Sequence, residues 1–167
     1  ILLPLTLAIQ SGGTTTEVFE VPFDAEVQRL NFMSRNEAGN ADVSFVDSAT
    51  YLLHIEVIHR GGLFASHSPG DVVVTNSTAG DTLSYGLTAR GFVGLFFGGG
   101  HEIHVRVNRA LSVSLDLQTT TGGIAVDIPP SAQVRSVTAT VVTGSVSVDT
   151  DALTINTIFF IVVVLMP

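Results

Sequence analysis

The sequence predicts an all-β domain: a β-sandwich with a jelly-roll-like arrangement of about a dozen short strands. Two observations lead to this prediction. Apolar and polar side chains alternate along almost the whole chain, which is the period of a β-strand, and no segment shows a convincing helical period. The alternating segments are separated by short sequences rich in glycine, proline, asparagine and aspartate. A β-solenoid, in which strands stack in successive coils, stays open as the alternative arrangement.

The predicted strands of the first half place bulky residues on one face. In chain order these sets are Phe19/Val21/Phe23, Leu30/Phe32, Val43/Phe45, Leu53/Ile55/Val57 and Leu83/Tyr85/Leu87. Turn sequences separate them, because glycine accepts the positive φ of a tight turn and proline cannot donate to a strand ladder. These turns are Glu37-Ala38-Gly39-Asn40, Gly61-Gly62, Ser68-Pro69-Gly70-Asp71 and Gly80-Asp81.

The second half of the chain continues the same pattern. Its alternating sets are Ile103/Val105/Val107, Leu111/Val113/Leu115/Leu117, Ile124/Val126/Ile128, Val137/Ala139/Val141, Val146/Val148 and Leu153/Ile155. The breaks between them are Gly98-Gly99-Gly100, Gly122-Gly123, Pro129-Pro130 and Gly144. Each break is expected to end one strand and to begin the next.

A short internal repeat marks the second half. Residues 121–127 read T-G-G-I-A-V-D, and residues 143–149, which lie 22 positions later, read T-G-S-V-S-V-D. In each unit a glycine precedes a strand that starts at once with alternating apolar residues. These units resemble the repeats of a family of bacterial and archaeal cell-surface domains described as adhesins, which read roughly T-x-S-G-D-[IV]-x-V.

The resemblance covers residues 101–149 and is closest at residues 115–126, which read L-D-L-Q-T-T-T-G-G-I-A-V. The chain departs from the family where an aspartate usually follows the glycine, because Gly123 and Ser145 stand there. The resemblance implies a surface-exposed, repetitive β fold of solenoid type. It brings no catalytic residues with it.

The N-terminal residues carry a strand pattern of their own. Bulky aliphatic residues occupy the odd positions Ile1, Leu3, Leu5, Leu7 and Ile9. We therefore divide the chain into an N-terminal donor strand with its linker, residues 1–13, and a single all-β domain, residues 14–167. Such a strand can complete a neighbour's sheet, and in this respect the tails resemble pilins and archaeal surface threads that polymerise by donor-strand exchange. The alternative is the remainder of a cleaved signal peptide or membrane anchor.

The C-terminal residues 158–166 contain no polar side chain. They fit a strand that is covered on both faces, or the opening of a membrane-spanning helix. Nine residues followed by Pro167 favour the strand. Both interpretations stay open at this point.

Composition argues against nucleic-acid partners and excludes cysteine chemistry. The formal net charge is −8, and all seven basic residues are arginine. An acidic chain of this kind lacks the basic surface that nucleic acid requires, so no nucleic-acid partner is expected. Cysteine is absent, which excludes disulfides, thiol nucleophiles and thiolate metal sites.

Two further segments are candidates for surface roles. Phe92, Phe96 and Phe97 lie in the glycine-rich stretch of residues 91–100. They are interpreted either as a contact with a neighbouring subunit or as a strand whose rings cover glycine gaps opposite. Asn76 begins the sequence Asn-Ser-Thr, so it is the candidate glycosylation site if the protein is exported.

The histidines do not have the spacing of a metal site. His101 and His104 face opposite sides of an alternating strand, and a helical zinc pair needs a different pattern. His54 and Glu56 share one strand face, but a site there would need a third ligand from elsewhere. We predict no metal site and no cofactor.

The acidic pairs do not indicate a calcium site, and the hydroxyl groups do not indicate an active site. Asp42 with Asp47, and Asp149 with Asp151, lack the spaced oxygen ligands of a calcium loop. Serines and threonines are plentiful, but no motif groups a nucleophile with a base and an acid. We therefore predict no catalytic residues and no enzyme activity.

The leading hypothesis for function is a structural subunit of an extracellular filament, a pilus or a thread, that polymerises by lending its N-terminal strand to a neighbour. Its partners would be identical subunits, with possible cell-surface contact and with the membrane involved only during export or anchoring. The alternative is a monomeric, membrane-anchored, adhesin-like surface module that binds a ligand. Both hypotheses place the protein outside the cell, at the cell surface.

Overall fold

The computed structural model describes residues 5–11, 14–60, 71–90 and 100–150, and every regular element in these ranges is a β-strand. The prediction of an all-β fold is confirmed. Within the described ranges the chain has no helix that could cross a membrane. The strands are β1 (Leu5–Ser11), β2 (Thr14–Pro22), β3 (Arg29–Val46), β4 (Tyr51–Arg60), β5 (Val72–Ala79), β6 (Thr82–Ala89), β7 (Gly100–Asn108), β8 (Ser112–Ile128) and β9 (Gln133–Thr150).

Three of these strands are long and bend in the middle. β3, β8 and β9 have 18, 17 and 18 residues, and each passes through a glycine with positive φ. The buried positions of β3 are even up to Ala38 and odd from Ala41 onward, so both halves of the strand direct side chains to the same interior. We call the halves arms: the first arms are residues 29–36, 112–119 and 133–141, and the second arms are residues 39–46, 121–128 and 143–150.

The expectation that the breaks at Gly39, Gly122 and Gly144 end strands was therefore wrong. The ladders continue through these residues, as the pairing of Thr121 with Thr143 and of Gly122 with Gly144 shows. Counted as arms, the three bent strands give six segments in place of three. This explains why alternation in the sequence indicated more strands than the described residues form.

The arms and the remaining strands form two walls around the interior. The first wall has the strand order β5, β6, and the first arms of β3, β8 and β9. The second wall has the order β1, β2, β4, β7, and the second arms of the same three strands. Pairing among β3, β8 and β9 is parallel, whereas β1, β2, β4 and β7 pair antiparallel.

Parallel stacking of β8 on β9 realises the solenoid-like alternative locally. Residues 22 positions apart pair, from Ser114 with Ser136 to Ile128 with Thr150. The T-G-x-[IV]-x-V-D units are therefore neighbouring rungs of one stack. Both arms of each rung point their apolar residues into a single core that the two walls share.

A ladder of glycines forms the bend between the walls. A Cβ added to Gly122 would lie 1.9 Å from the carbonyl oxygen of Gly39, and one added to Gly144 would lie 1.6 Å from that of Gly122. No side chain fits such distances, and the φ angles of +136° and +147° disfavour L-residues independently. Glycine is therefore required at the corner of each rung.

The N-terminal strand lies against its own chain. β1 pairs antiparallel with β2, from Leu5 opposite Glu20 to Ser11 opposite Thr14. The predicted donor residues Leu5, Leu7 and Ile9 thus belong to a hairpin with β2. The remaining predicted interface residues Ile1, Leu3, Phe92, Phe96 and Phe97 lie outside the described residues, as do residues 158–166.

Candidate binding surface

The outer face of the first wall carries two rows of residues, and most of them are serine, threonine or asparagine. The strand register brings one residue from each of five neighbouring strands side by side in each row. The first row is Ser77, Ser84, Asn31, Ser114 and Ser136, and the second is Thr75, Gly86, Met33, Asp116 and Thr138. Alternation places both rows on the side opposite the core residues Phe32, Tyr85 and Leu115.

These rows line a groove of about 470 Å³. Its depth depends on Gly86, because a Cβ there would lie 2.6 Å from Thr75 Oγ1 and 3.4 Å from Met33 Cε. Asp116 is the one charged residue among the groove-lining residues that the structure describes. The Met33 thioether adds an apolar spot to a surface of hydroxyl and amide groups.

Two hydrogen bonds orient polar groups at the groove. Arg135 Nη2 donates to Asn31 Oδ1 at 2.8 Å, and Gln118 Nε2 donates to Asp116 Oδ1 at 3.3 Å. Arg135 reaches this position because the register of β9 shifts between Val113 and Ser114, which leaves one extra residue in β9. The groove therefore offers several donors and acceptors in a fixed arrangement, but no nucleophile paired with a base.

The outer face of the second wall is charged instead. His54 lies between two carboxylates, with Nδ1 3.0 Å from Glu20 Oε2 and Nε2 3.1 Å from Glu56 Oε1. Arg106 Nη1 donates to the same oxygen of Glu56 at 3.0 Å. The hydrogen bond from His54, and then the charge and hydrogen bond of Arg106, hold the pKa of Glu56 below its usual value against the opposing effect of burial.

This network bears on the metal interpretation of His54 and Glu56. Glu20 on the neighbouring strand does bring a third polar group to His54 and Glu56, but both imidazole nitrogens already face carboxylates. In the described ranges no group of three histidine, aspartate or glutamate residues could hold a metal ion. The geometry is that of a hydrogen-bonded ion-pair network.

The interior contains a buried histidine pair that was not predicted from the sequence. His59 and His101 are opposite each other on β4 and β7, with ring centroids 4.8 Å apart in an edge-to-face arrangement. His59 Nε2 lies 3.1 Å from Glu17 Oε1, and His101 Nε2 donates to the carbonyl oxygen of Arg90 at 2.8 Å. The sequence did contain a signal, because His59 continues the odd-numbered buried set of Leu53, Ile55 and Val57.

His101 and His104 do face opposite sides of β7, as predicted. His101 is buried, whereas His104 is partly exposed and lies 3.3 Å from Asp42 through Nδ1 and Oδ2. Asp47 pairs with Arg109. The acidic pair Asp42 and Asp47 thus has separate partners and forms no common site.

The other acidic pair falls partly outside the structure described. Asp149 lies opposite Asp127 in the register of β8 and β9, and Asp151 is outside the described residues.

The candidate glycosylation residue Asn76 is exposed on β5, where it pairs with Tyr85 of β6. Its side chain is therefore accessible, and its modification stays a prediction.

Comparison with known proteins adds a structural neighbour. No protein-family model and no curated protein matches the chain. A crystal structure described as a "putative cell adhesion protein" from Clostridium sporogenes is similar, with a TM-score of 0.66 and 13% sequence identity. The similarity covers 81% of this chain and 61% of the clostridial one. At this identity the comparison establishes a shared fold.

Proposed function

We propose that this chain is a cell-surface adhesion module that binds a hydroxyl-rich ligand, of the carbohydrate class, in the groove of the first wall. The observation that carries the proposal is the groove itself: two rows of Ser, Thr and Asn side chains around one carboxylate and one thioether. The fold shared with the clostridial protein, whose description names cell adhesion, supports the same class of function. The proposal includes no catalytic step and no cofactor.

The chemistry of the groove matches such a ligand. Each hydroxyl can donate one hydrogen bond and accept two, so rows of serine and threonine can satisfy the hydroxyl groups of a sugar in either direction. The Met33 side chain offers an apolar contact to the C–H face of a sugar ring. The formal net charge of −8 disfavours polyanionic ligands, which makes a neutral carbohydrate the preferred class.

Binding to a panel of immobilised polysaccharides tests this proposal. The panel contains neutral glucan, mannan and galactan, together with the acidic polymer hyaluronan. We expect one neutral polymer or more to bind, and the variant Ser114→Phe, which fills the groove, to weaken that binding at least about tenfold. The matched control is Ser147→Phe, which adds the same ring on an exposed position of the second arm of β9. Absence of binding, or equal weakening by both variants, contradicts the proposal.

A filament subunit that polymerises by donor-strand complementation is the second candidate. The observation in its favour is that β1 pairs with β2 alone among the described strands, so a single ladder holds it. If the β1–β2 hairpin opened, residues 5–11 of a neighbour could pair with β2 in the same register. Assembly would then replace the β1–β2 pairing within one chain by the same pairing between two chains.

Deletion of residues 1–10 separates the two candidates. A donor-strand subunit should lose polymerisation on deletion and recover a closed sheet when a peptide of residues 1–10 is added. A monomeric module should sediment as a monomer before deletion at every concentration tested. Filaments formed by the truncated protein would exclude the donor-strand mechanism.

A further inference from the structure

The groove of the first wall is longer across the strands than along them. The residues that line it come from five neighbouring strands, in the order β5, β6, β3, β8 and β9. Neighbouring strands lie about 4.8 Å apart, so the four gaps between these strands extend over about 19 Å. The two lining rows are two residues apart on each strand, which corresponds to only about 7 Å. The long axis of the groove therefore crosses the strands.

Hydrogen-bonded side chains border the groove on both of its long sides. Arg135 of β9 reaches across β8 and donates to Asn31 Oδ1 of β3 at 2.8 Å, on the side of the first row. On the side of the second row, Gln118 Nε2 donates to Asp116 Oδ1 at 3.3 Å. A ligand that ran along the strands would have to pass over Arg135 and Gln118. A ligand that crosses the strands meets neither obstacle.

The first row offers one polar side chain at every strand. Its members are serine or asparagine, and they follow one another at the strand spacing of about 4.8 Å. The second row is not uniform, because Gly86 leaves space on β6, Met33 is apolar and Asp116 is a carboxylate. One sugar unit of an extended chain has a length close to the strand spacing. Successive units of such a chain can therefore meet successive members of the first row.

We propose that the ligand of the groove is a linear, extended carbohydrate chain of the β-1,4-linked class, which lies across the five strands with one sugar unit at each of the four gaps. This inference rests on the proposed carbohydrate function and adds the form of the ligand to it. The space at Gly86, beside Met33, would take a ring whose C–H face contacts the thioether. Asp116 would accept hydrogen bonds from the hydroxyl groups of a unit nearer β9. Chains with α-1,4 linkages coil, so their units would not follow the row.

The length dependence of binding by the unmodified protein tests this proposal. The probes are β-1,4-linked oligosaccharides of glucose, of mannose and of galactose with one to six units, and the control is the α-1,4-linked glucose series. Each occupied gap adds hydrogen bonds that contribute about two- to tenfold each in affinity. In one β-1,4 series or more, we expect calorimetric affinity to rise at least about tenfold from two units to four, and less than about twofold from four to six. Equal affinity for two and four units, or the same rise in the α-1,4 series, overturns the proposal.

Substitutions at the two ends of the groove give a second measurement. Ser77→Phe on β5 and Ser136→Phe on β9 place rings at opposite ends of the groove, about 19 Å apart. Because two sugar units fit in the central gaps, each variant should weaken binding of the four-unit oligosaccharide at least about fivefold and that of the two-unit one less than about twofold. The control Thr140→Phe adds the same ring to β9 beyond the groove and should change neither affinity. Weakening by only one of the end variants, or equal weakening for both lengths, contradicts a ligand that spans the strands.

The outcomes also separate this inference from the proposed function. If polysaccharides bind and Ser114→Phe weakens that binding, but affinity does not depend on oligosaccharide length, the groove is a carbohydrate site for a single unit. The proposed function then stands and the extended ligand is wrong. If neither the polysaccharides nor the oligosaccharides bind, both proposals are wrong.

Discussion

The outer faces of the two walls differ in how their polar groups are satisfied. On the second wall, ionic groups pair with one another, as in the contacts of Glu56 with His54 and Arg106 and in the 2.7 Å contact of Arg60 with Glu102. On the first wall, Asp116 is the one carboxylate among the described residues that line the groove, and it lies among small hydroxyl and amide groups. The same three bent strands contribute to both faces. The difference teaches that ionic groups on the second wall satisfy one another, whereas the first wall presents its donors and acceptors mainly as hydroxyl groups along a groove.

The largest expected effect is that of a substitution at a corner glycine, because these glycines join the two walls and both walls depend on them. Gly122→Ala should cost more than about 4 kcal/mol in unfolding free energy, since its Cβ would collide with the carbonyl oxygen of Gly39. The control Gly80→Ala has a positive φ of 60° but no atom within 4 Å of the new Cβ, so it should cost only about 1–2 kcal/mol. Denaturant unfolding measures both. Similar costs would mean that φ strain, and not stacking, makes the corner require glycine.

The second prediction concerns the second wall alone. The pKa of Glu56 is lowered in the folded protein, first by the hydrogen bond from His54 and then by Arg106. A lowered carboxyl pKa stabilises the fold above the unfolded value near 4.5, and this stabilisation is lost as pH falls through the folded pKa. Unfolding free energy of the native protein should therefore decline more steeply below about pH 4.5 than that of Glu56→Gln.

A second variant separates the two groups that lower the pKa of Glu56, because the hydrogen bond from His54 has a larger effect than Arg106. Arg106→Gln leaves the His54 hydrogen bond in place, so its decline with acid should lie between those of the native protein and Glu56→Gln. Chemical denaturation from pH 3 to 7 provides the three profiles. Parallel profiles for all three proteins would show that the network does not contribute to stability through Glu56.

Much of this fold follows from alternation in the sequence. Sets such as Leu30/Phe32 and Val43/Phe45 are buried as predicted, and glycine does adopt positive φ at Gly39 and Gly80. Alternation is a local signal, however, and contains no information about which strand lies beside which. The parallel pairing of β3 with β8, for example of Ala41 with Ile124, joins residues 83 positions apart and could not be predicted from either segment.

The groove was missed for the same reason. Ser84, Asn31 and Ser114 each look like ordinary solvated positions of a half-buried strand. They become a candidate site only because five strands bring their outer positions into one row. The 22-residue repeat was the one long-range signal in the sequence, and it did identify the stacked rungs β8 and β9.

The smallest expected effect concerns the interior of the first wall. The hydroxyl of Tyr85 is buried and has no hydrogen-bond partner among the described residues, and burial raises the pKa of this phenol. An unpartnered buried hydroxyl carries a desolvation cost that phenylalanine lacks, while the ring contact with Phe32 at 6.3 Å would be kept. Tyr85→Phe should therefore leave the unfolding free energy unchanged or raise it by up to about 1 kcal/mol. On the second wall, His54→Phe removes a ring whose two nitrogens face Glu20 and Glu56, so it should destabilise instead. A clear loss of stability in Tyr85→Phe would mean that the hydroxyl has a hydrogen-bond partner in solution, and this position of the first wall would then resemble His54 on the second, where removing a polar group leaves its partner unsatisfied.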